Sequence, residues 1–121
     1  MSRAALLVAH GSRLPAPCQA VIALAGRLQQ TLAMPVAAAF LECRPDVITT
    51  IDRLVAAGAT HITVVPYFLH AGRHVQDDLP RLLDEAAHRH PDCHLVPTAC
   101  LEGDPGLEEL LTARLRELSD L

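Results

Sequence analysis

The sequence predicts an α/β fold: a three-layer sandwich in which helices cover both faces of a four-stranded parallel sheet. Three observations predict it. Apolar runs of strand length alternate with stretches whose apolar residues recur at helical spacing. The 121 residues are enough for one compact domain and too few for two, so a single domain is drawn over 1–121. Half the residues are hydrophobic, yet there are only two Phe, one Tyr and no Trp. The core must then consist of Leu, Val, Ile and Ala, the composition of strands buried on both faces.

Taken in order, residues 5–9 (ALLVA) are strand one. Over 18–32, Val21, Leu24, Ala25, Leu28 and Leu32 recur at helical spacing, and Pro35 ends that connection. Strand two covers 36–41. Pro45 suits the first turn of the next helix, Val47, Ile48, Ile51, Leu54 and Val55 give it a buried stripe, and Gly58 stops it. Strand three covers 61–65 and breaks at Pro66. A helix over 75–88 turns Leu79, Leu82, Leu83 and Ala86 inward and tolerates Pro80 in its first turns. Strand four covers 93–96. Asp104 caps a last helix with Pro105 at its first position, and Leu107, Leu110, Leu111, Leu115 and Leu118 form its apolar face. Right-handed crossovers then favour the strand order 2-1-3-4, with a switch point between strands one and three.

Composition excludes several function classes. The formal charge is −4, from 10 basic and 14 acidic residues, and no basic run exists. With few aromatics for stacking, a nucleic-acid partner is not expected. No segment approaches the roughly 18 apolar residues of a membrane span. The N-terminal MSRAALLVAHGSR reads as a buried strand and not a signal peptide, which points to the cytoplasm. Cys18, Cys43, Cys93 and Cys100 form no C-x-x-C pair and fit no zinc frame; they read as small, partly buried apolar residues.

The candidate site lies beyond the carboxyl ends of strands one and three, where open α/β sheets hold ligands. Strand one runs into His10, Gly11, Ser12 and Arg13. Strand three runs into Leu69, His70, Ala71, Gly72, Arg73 and His74. Neutral imidazoles facing one cavity suit a borderline divalent metal or proton transfer near neutral pH. Glu42, after strand two, can orient an imidazole or take up a proton, or merely cap the next helix. Ser12 can equally be a helix cap. The helix start near Val75 offers backbone N–H groups to an anion, and Arg13, Arg44 and Arg73 add guanidinium groups at the same sheet edge. His88, His90 and His94 belong to the opposite edge and read as a solvated helix end. No G-x-S-x-G, G-x-G-x-x-G or P-loop is present, which disfavours a small hydrolase or a nucleotide enzyme.

Taken together, LLVAHGSR, FLECRPDV and VVPYFLHAGRHVQDDLP resemble the short form of the CbiX/SirB family, class II chelatases acting on sirohydrochlorin. The resemblance runs from about Ala5 to Leu83. It implies a chelatase-like α/β domain working as a homodimer, with His10 and His74 as the catalytic metal-site pair and Glu42 beside them. It also implies that the stretch from Leu69 to Arg73 lines the macrocycle cleft. The expected reaction inserts Co2+ or Fe2+, with Ni2+ also compatible with imidazole donors, into an anionic tetrapyrrole and releases two protons. The metal is substrate, and no organic cofactor is needed. A noncatalytic metal- or tetrapyrrole-binding protein on the same scaffold is the alternative. A flat macrocycle needs contacts around its whole rim, so two mouths are expected to face one cleft, with apolar contact around Leu79–Leu83.

Overall fold

Strand β1 (Arg3–Ala9) occupies the middle of the sheet, and from Ala4 onward every residue of it is buried. It pairs with β2 (Val36–Phe40) on one side and β3 (His61–Pro66) on the other; β4 (His94–Pro97) adds to β3. All pairs are parallel and the order is β2-β1-β3-β4, as the sequence predicts. The computed structural model describes residues 2–70 and 72–119, with the side chains of His74 and Ser119 outside that description.

Strand side chains alternate between faces, and this alternation separates two cores. Ala5, Leu7 and Ala9 meet Val36, Ala38 and Phe40 under helix α1 (Pro15–Leu32). Leu6, Val8, Ile62 and Val64 pack on the other face against α2 (Val47–Ala56) and α3 (Leu79–Arg89), through Val47, Ile51, Leu54, Leu79, Leu83 and Ala86. Leu79 and Leu83 are 3% and 8% exposed, so the expected dimer contact around Leu79–Leu83 is corrected: those residues are committed to the chain's own core.

Local chemistry moves some boundaries. Asp46, not Pro45, opens α2: its carboxylate accepts the Thr49 N–H at 3.3 Å, and the helix begins at Val47. Gly58, at φ +106°, closes it as expected. The single helix expected over 75–88 is instead a π-turn, His74–Asp78, followed by α3. Pro80 has no N–H for the Gln76 carbonyl and its ring crowds that carbonyl. The wider turn ahead of it relieves the conflict.

At the amino edge of the sheet the histidines are more engaged than a solvated helix end would be. His90 Nε2 lies 2.6 Å from Asp52 Oδ1, and Arg89 Nε donates to the same oxygen at 3.2 Å, joining α3 to α2. The His61 and His94 rings pair across β3 and β4 at 4.8 Å. Helix α4 (Pro105–Ser119) starts as expected, with Asp104 Oδ1 accepting the Gly106 N–H at 2.7 Å. Its apolar face stays largely exposed: Leu110, Leu111, Leu115 and Leu118 are 49–66% exposed. Among the described residues, no helix is long and apolar enough to cross a membrane.

Candidate functional site

The site is built by backbone pairing that outlasts the strands. Beyond the Ala9–Phe40 pair, the Leu41 N–H donates to Ala9 O and the Glu42 N–H to His10 O, both at 3.0 Å. These bonds hold the residues after β1 and β2 side by side. The result is a His10 Nε2 to Glu42 Oε1 distance of 3.5 Å, with both side chains about half exposed. At that distance ring and carboxylate can pass a proton or face one cation. The third strand joins the same edge: the Tyr67 N–H donates to Val8 O at 2.7 Å, and Tyr67 is 40% exposed.

Gly11 is required by this geometry. Its φ is +96°, and a Cβ there would lie 2.8 Å from Cys43 Sγ and 3.2 Å from Phe40 Cβ. The His10 loop therefore rests directly on the loop that carries Glu42. Ser12 does not cap α1 as expected: the N-cap position is Leu14, without a side-chain cap, and the Ser12 hydroxyl instead accepts the Leu14 N–H at 3.0 Å in the turn before Pro15 starts the helix. Under the loop, Cys18 Sγ touches Cys43 Sγ at 3.1 Å. The hydrogen bond with Cys43, then burial, raises the Cys18 thiol above its ordinary value.

The loop after β3 is joined to the loop after β4. The Leu101 N–H donates to Phe68 O at 3.1 Å, and His70 Nδ1 stands 3.6 Å from Glu102 Oε1 with the imidazole 80% exposed. Leu69, Gly72 and Arg73 are exposed on this loop; Ala71 lies outside the described residues, as does the side chain of His74, whose backbone opens the π-turn. One expectation is corrected here. The Val75 and Gln76 N–H groups are not open to an anion, because both donate to Gly72 O, at 3.1 and 2.9 Å. Arg13, Arg44 and Arg73 are all exposed. Arg44 shares an open cavity of about 590 Å³ with Arg53, Pro45, Thr49 and the Asp46 cap. Hydrogen bonding from Thr49 is the main cause of the lowered Asp46 pKa, with Arg44 a smaller contributor.

Sequence reasoning missed Glu102, Arg53 and the Cys18–Cys43 contact. Each is brought to the edge by topology, and no spacing in the chain signals it. Among the described residues no three His, Cys, Asp or Glu side chains are placed to hold one metal ion together. An apolar cavity of about 490 Å³ between α3 and β4, lined by Leu79, Leu83 and Leu95 among others, contains none of the predicted site residues.

Several proteins similar to this chain are named as chelatases. The sirohydrochlorin cobaltochelatase of Methanothermobacter thermautotrophicus is 33% identical over 127 residues, spanning 92% of this chain and 89% of that protein. The sirohydrochlorin ferrochelatase of Bacillus subtilis is 34% identical over 97 residues, 78% of this chain but 37% of its own length. A solved CbiX protein from Marinobacter aquaeolei, assigned to cobalamin (vitamin B12) biosynthesis, superposes with a TM-score of 0.84 at 26% identity, over 98% of both chains. The sirohydrochlorin chelatase SirB of Bacillus subtilis subspecies spizizenii, solved with cobalt, superposes at 0.86 and 30% identity, over all of this chain and 51% of SirB. The chain thus spans about half of that longer chelatase. The CbiX family itself matches residues 4–118, which takes in the His10 loop, Glu42, the π-turn and nearly all of α4, and on that match the chain belongs to the CbiX family.

Proposed function

We propose that this chain is a sirohydrochlorin chelatase of the short type, inserting Co2+ or Fe2+ into the macrocycle with release of two protons. The observation that carries the reading is the His10–Glu42 pair, 3.5 Å apart at the carboxyl edge of the sheet. Insertion must strip water from a cation, present it to pyrrole nitrogens and accept the protons they lose. A neutral imidazole does the first two and a neighbouring carboxylate helps with the third. Few ligands suit this task, since a metal that is substrate must leave again. His74 is the second imidazole of the reading, on the neighbouring loop. Its relatives include both cobalto- and ferrochelatases, so their names leave the choice of metal open. Ni2+ is the third cation to test, and the chemistry calls for no organic cofactor.

Sirohydrochlorin carries its carboxylates around the rim. Arg13, Arg44 and Arg73 are the side chains offered to them, with Gly11, Ser12, Leu69, His70 and Gly72 along the wall. One such wall cannot enclose a macrocycle. The working unit of this proposal is a homodimer of single-domain chains in the cytoplasm, with two carboxyl-end mouths sharing a cleft. Its support is the half-length match to SirB and the exposed apolar face of α4.

Anaerobic incubation of the protein with sirohydrochlorin and each metal, followed by absorbance, tests the reading. Metallation faster than the uncatalysed reaction, and lost in His10→Ala, is expected. Tight binding of the tetrapyrrole with no acceleration would replace the enzyme by a carrier on the same scaffold.

A further inference from the structure

Two thiols that the chelatase reading does not use meet beneath the His10 loop. Cys18 sits in the first turns of α1, and Cys43 follows Glu42 in the loop between β2 and α2. Their sulfurs are 3.1 Å apart, and Cys18 Sγ also donates to Ser12 O at 3.6 Å. All four cysteines are free, but no other pair of them shares such a contact among the described residues. Two features set this pair apart from the other cysteines. Cys43 is partly exposed and open to a small oxidant, whereas Cys18 is 8% exposed and held against it. Both also touch the His10 loop, Cys18 through Ser12 O and Cys43 through Gly11, whose Cβ position lies 2.8 Å from its sulfur.

We propose that Cys18 and Cys43 form a reversible disulfide in response to hydrogen peroxide, and that the bond alters the His10–Glu42 edge. The Cys43 sulfur attacks one peroxide oxygen; the O–O bond breaks, and the other oxygen leaves as water, taking up the thiol proton. Cys43 is then a sulfenic acid. The Cys18 sulfur attacks that sulfur, the S–S bond forms and the S–O bond breaks. The hydroxyl departs as a second water with the Cys18 proton. Two thiols are oxidised and one hydrogen peroxide is reduced; a thiol reductant reverses the bond by exchange. Closing from 3.1 Å to about 2.05 Å pulls the Glu42 loop toward α1, beneath the residue that the glycine contact supports.

The test uses the full chain and hydrogen peroxide. Peptide mapping of the oxidised protein should show one Cys18–Cys43 cross-link with the loss of two hydrogen masses, while Cys93 and Cys100 stay reduced. Dithiothreitol should restore the starting mass. Cys18→Ser should trap Cys43 as sulfenic acid, detectable with dimedone, and Cys43→Ser should leave Cys18 unoxidised. A wild-type cross-link through Cys100, or stable over-oxidation of Cys43 with no cross-link, overturns the proposal. The effect on the edge is read separately and rests on the chelatase reading: oxidation should slow metal insertion at least several-fold in the wild type and leave Cys18→Ser unaffected. Equal slowing in both would remove the link to the site, while the mass data would still stand or fall on their own.

Discussion

His10 and Glu42 are exposed and carry little packing, so their replacement should separate chemistry from folding. His10→Ala is expected to lower the insertion rate at least about 100-fold, and Glu42→Gln about 10-fold. Neither should move the urea midpoint. A Glu42→Gln variant with wild-type turnover would assign the proton to another group. Glycine gives a contrast in sign. Gly11→Ala adds a methyl group at φ +96° against Cys43 and Phe40, and should cost about 1–3 kcal/mol. Gly26→Ala, on an open face of α1 with nothing within 4 Å, should stabilise by about 0.5–1 kcal/mol. Urea unfolding of both variants reads the two signs in one experiment.

Among the elements, the pairing of α2 with α3 carries a pH signature. Asp52 is held below its ordinary pKa first by the Arg89 hydrogen bond and then by that of His90. Because its folded value lies below the unfolded one, near about 3.9, its contribution is complete above that pH. The contribution is lost as pH falls through the folded value. Asp52→Asn should therefore cost about 0.5–1 kcal/mol at neutral pH and flatten the acid limb of a Tm-versus-pH curve. Asp46, lowered by its cap to Thr49, keeps part of that limb. An unchanged limb would mean that the Asp52 contacts contribute nothing. The same elements show how far the sequence can be read. Strand order and helix faces were legible because apolar runs and right-handed crossovers leave few alternatives. The π-turn was not, because the stripe of Leu79, Leu82 and Leu83 fits a helix whether or not its first turn is widened. Asp52 and His90 are 38 residues apart, and Cys18 and Cys43 are 25 apart; only the folded topology joins them. At the site, His10 and Glu42 were legible as strand-end residues, and Glu102 was not, because its partner His70 belongs to a different crossover.

At the scale of the whole molecule, the exposed apolar face of α4 sets the proposed assembly. Periodicity announces an apolar face but is silent on its partner. In the shared-cleft dimer, Leu111→Glu with Leu118→Glu should leave the monomer's thermal stability within about 0.5 kcal/mol, since both residues are exposed. The same pair should shift sedimentation at micromolar concentration toward the monomer. A wild-type protein that sediments as a monomer while inserting metal at full rate would remove the shared cleft and leave the chelatase reading in place.

The near absence of aromatic side chains has an optical consequence. With no tryptophan and one tyrosine, the chain's near-ultraviolet emission comes almost wholly from a single phenol, Tyr67. That residue follows β3 at the carboxyl edge, its backbone tied to Val8, and is 40% exposed. A tetrapyrrole seated at this edge would drain the emission by energy transfer, whether or not a metal had entered it. The protein thus carries a built-in reporter of occupancy, and quenching of Tyr67 can time the arrival of the macrocycle separately from the colour change that marks its metallation.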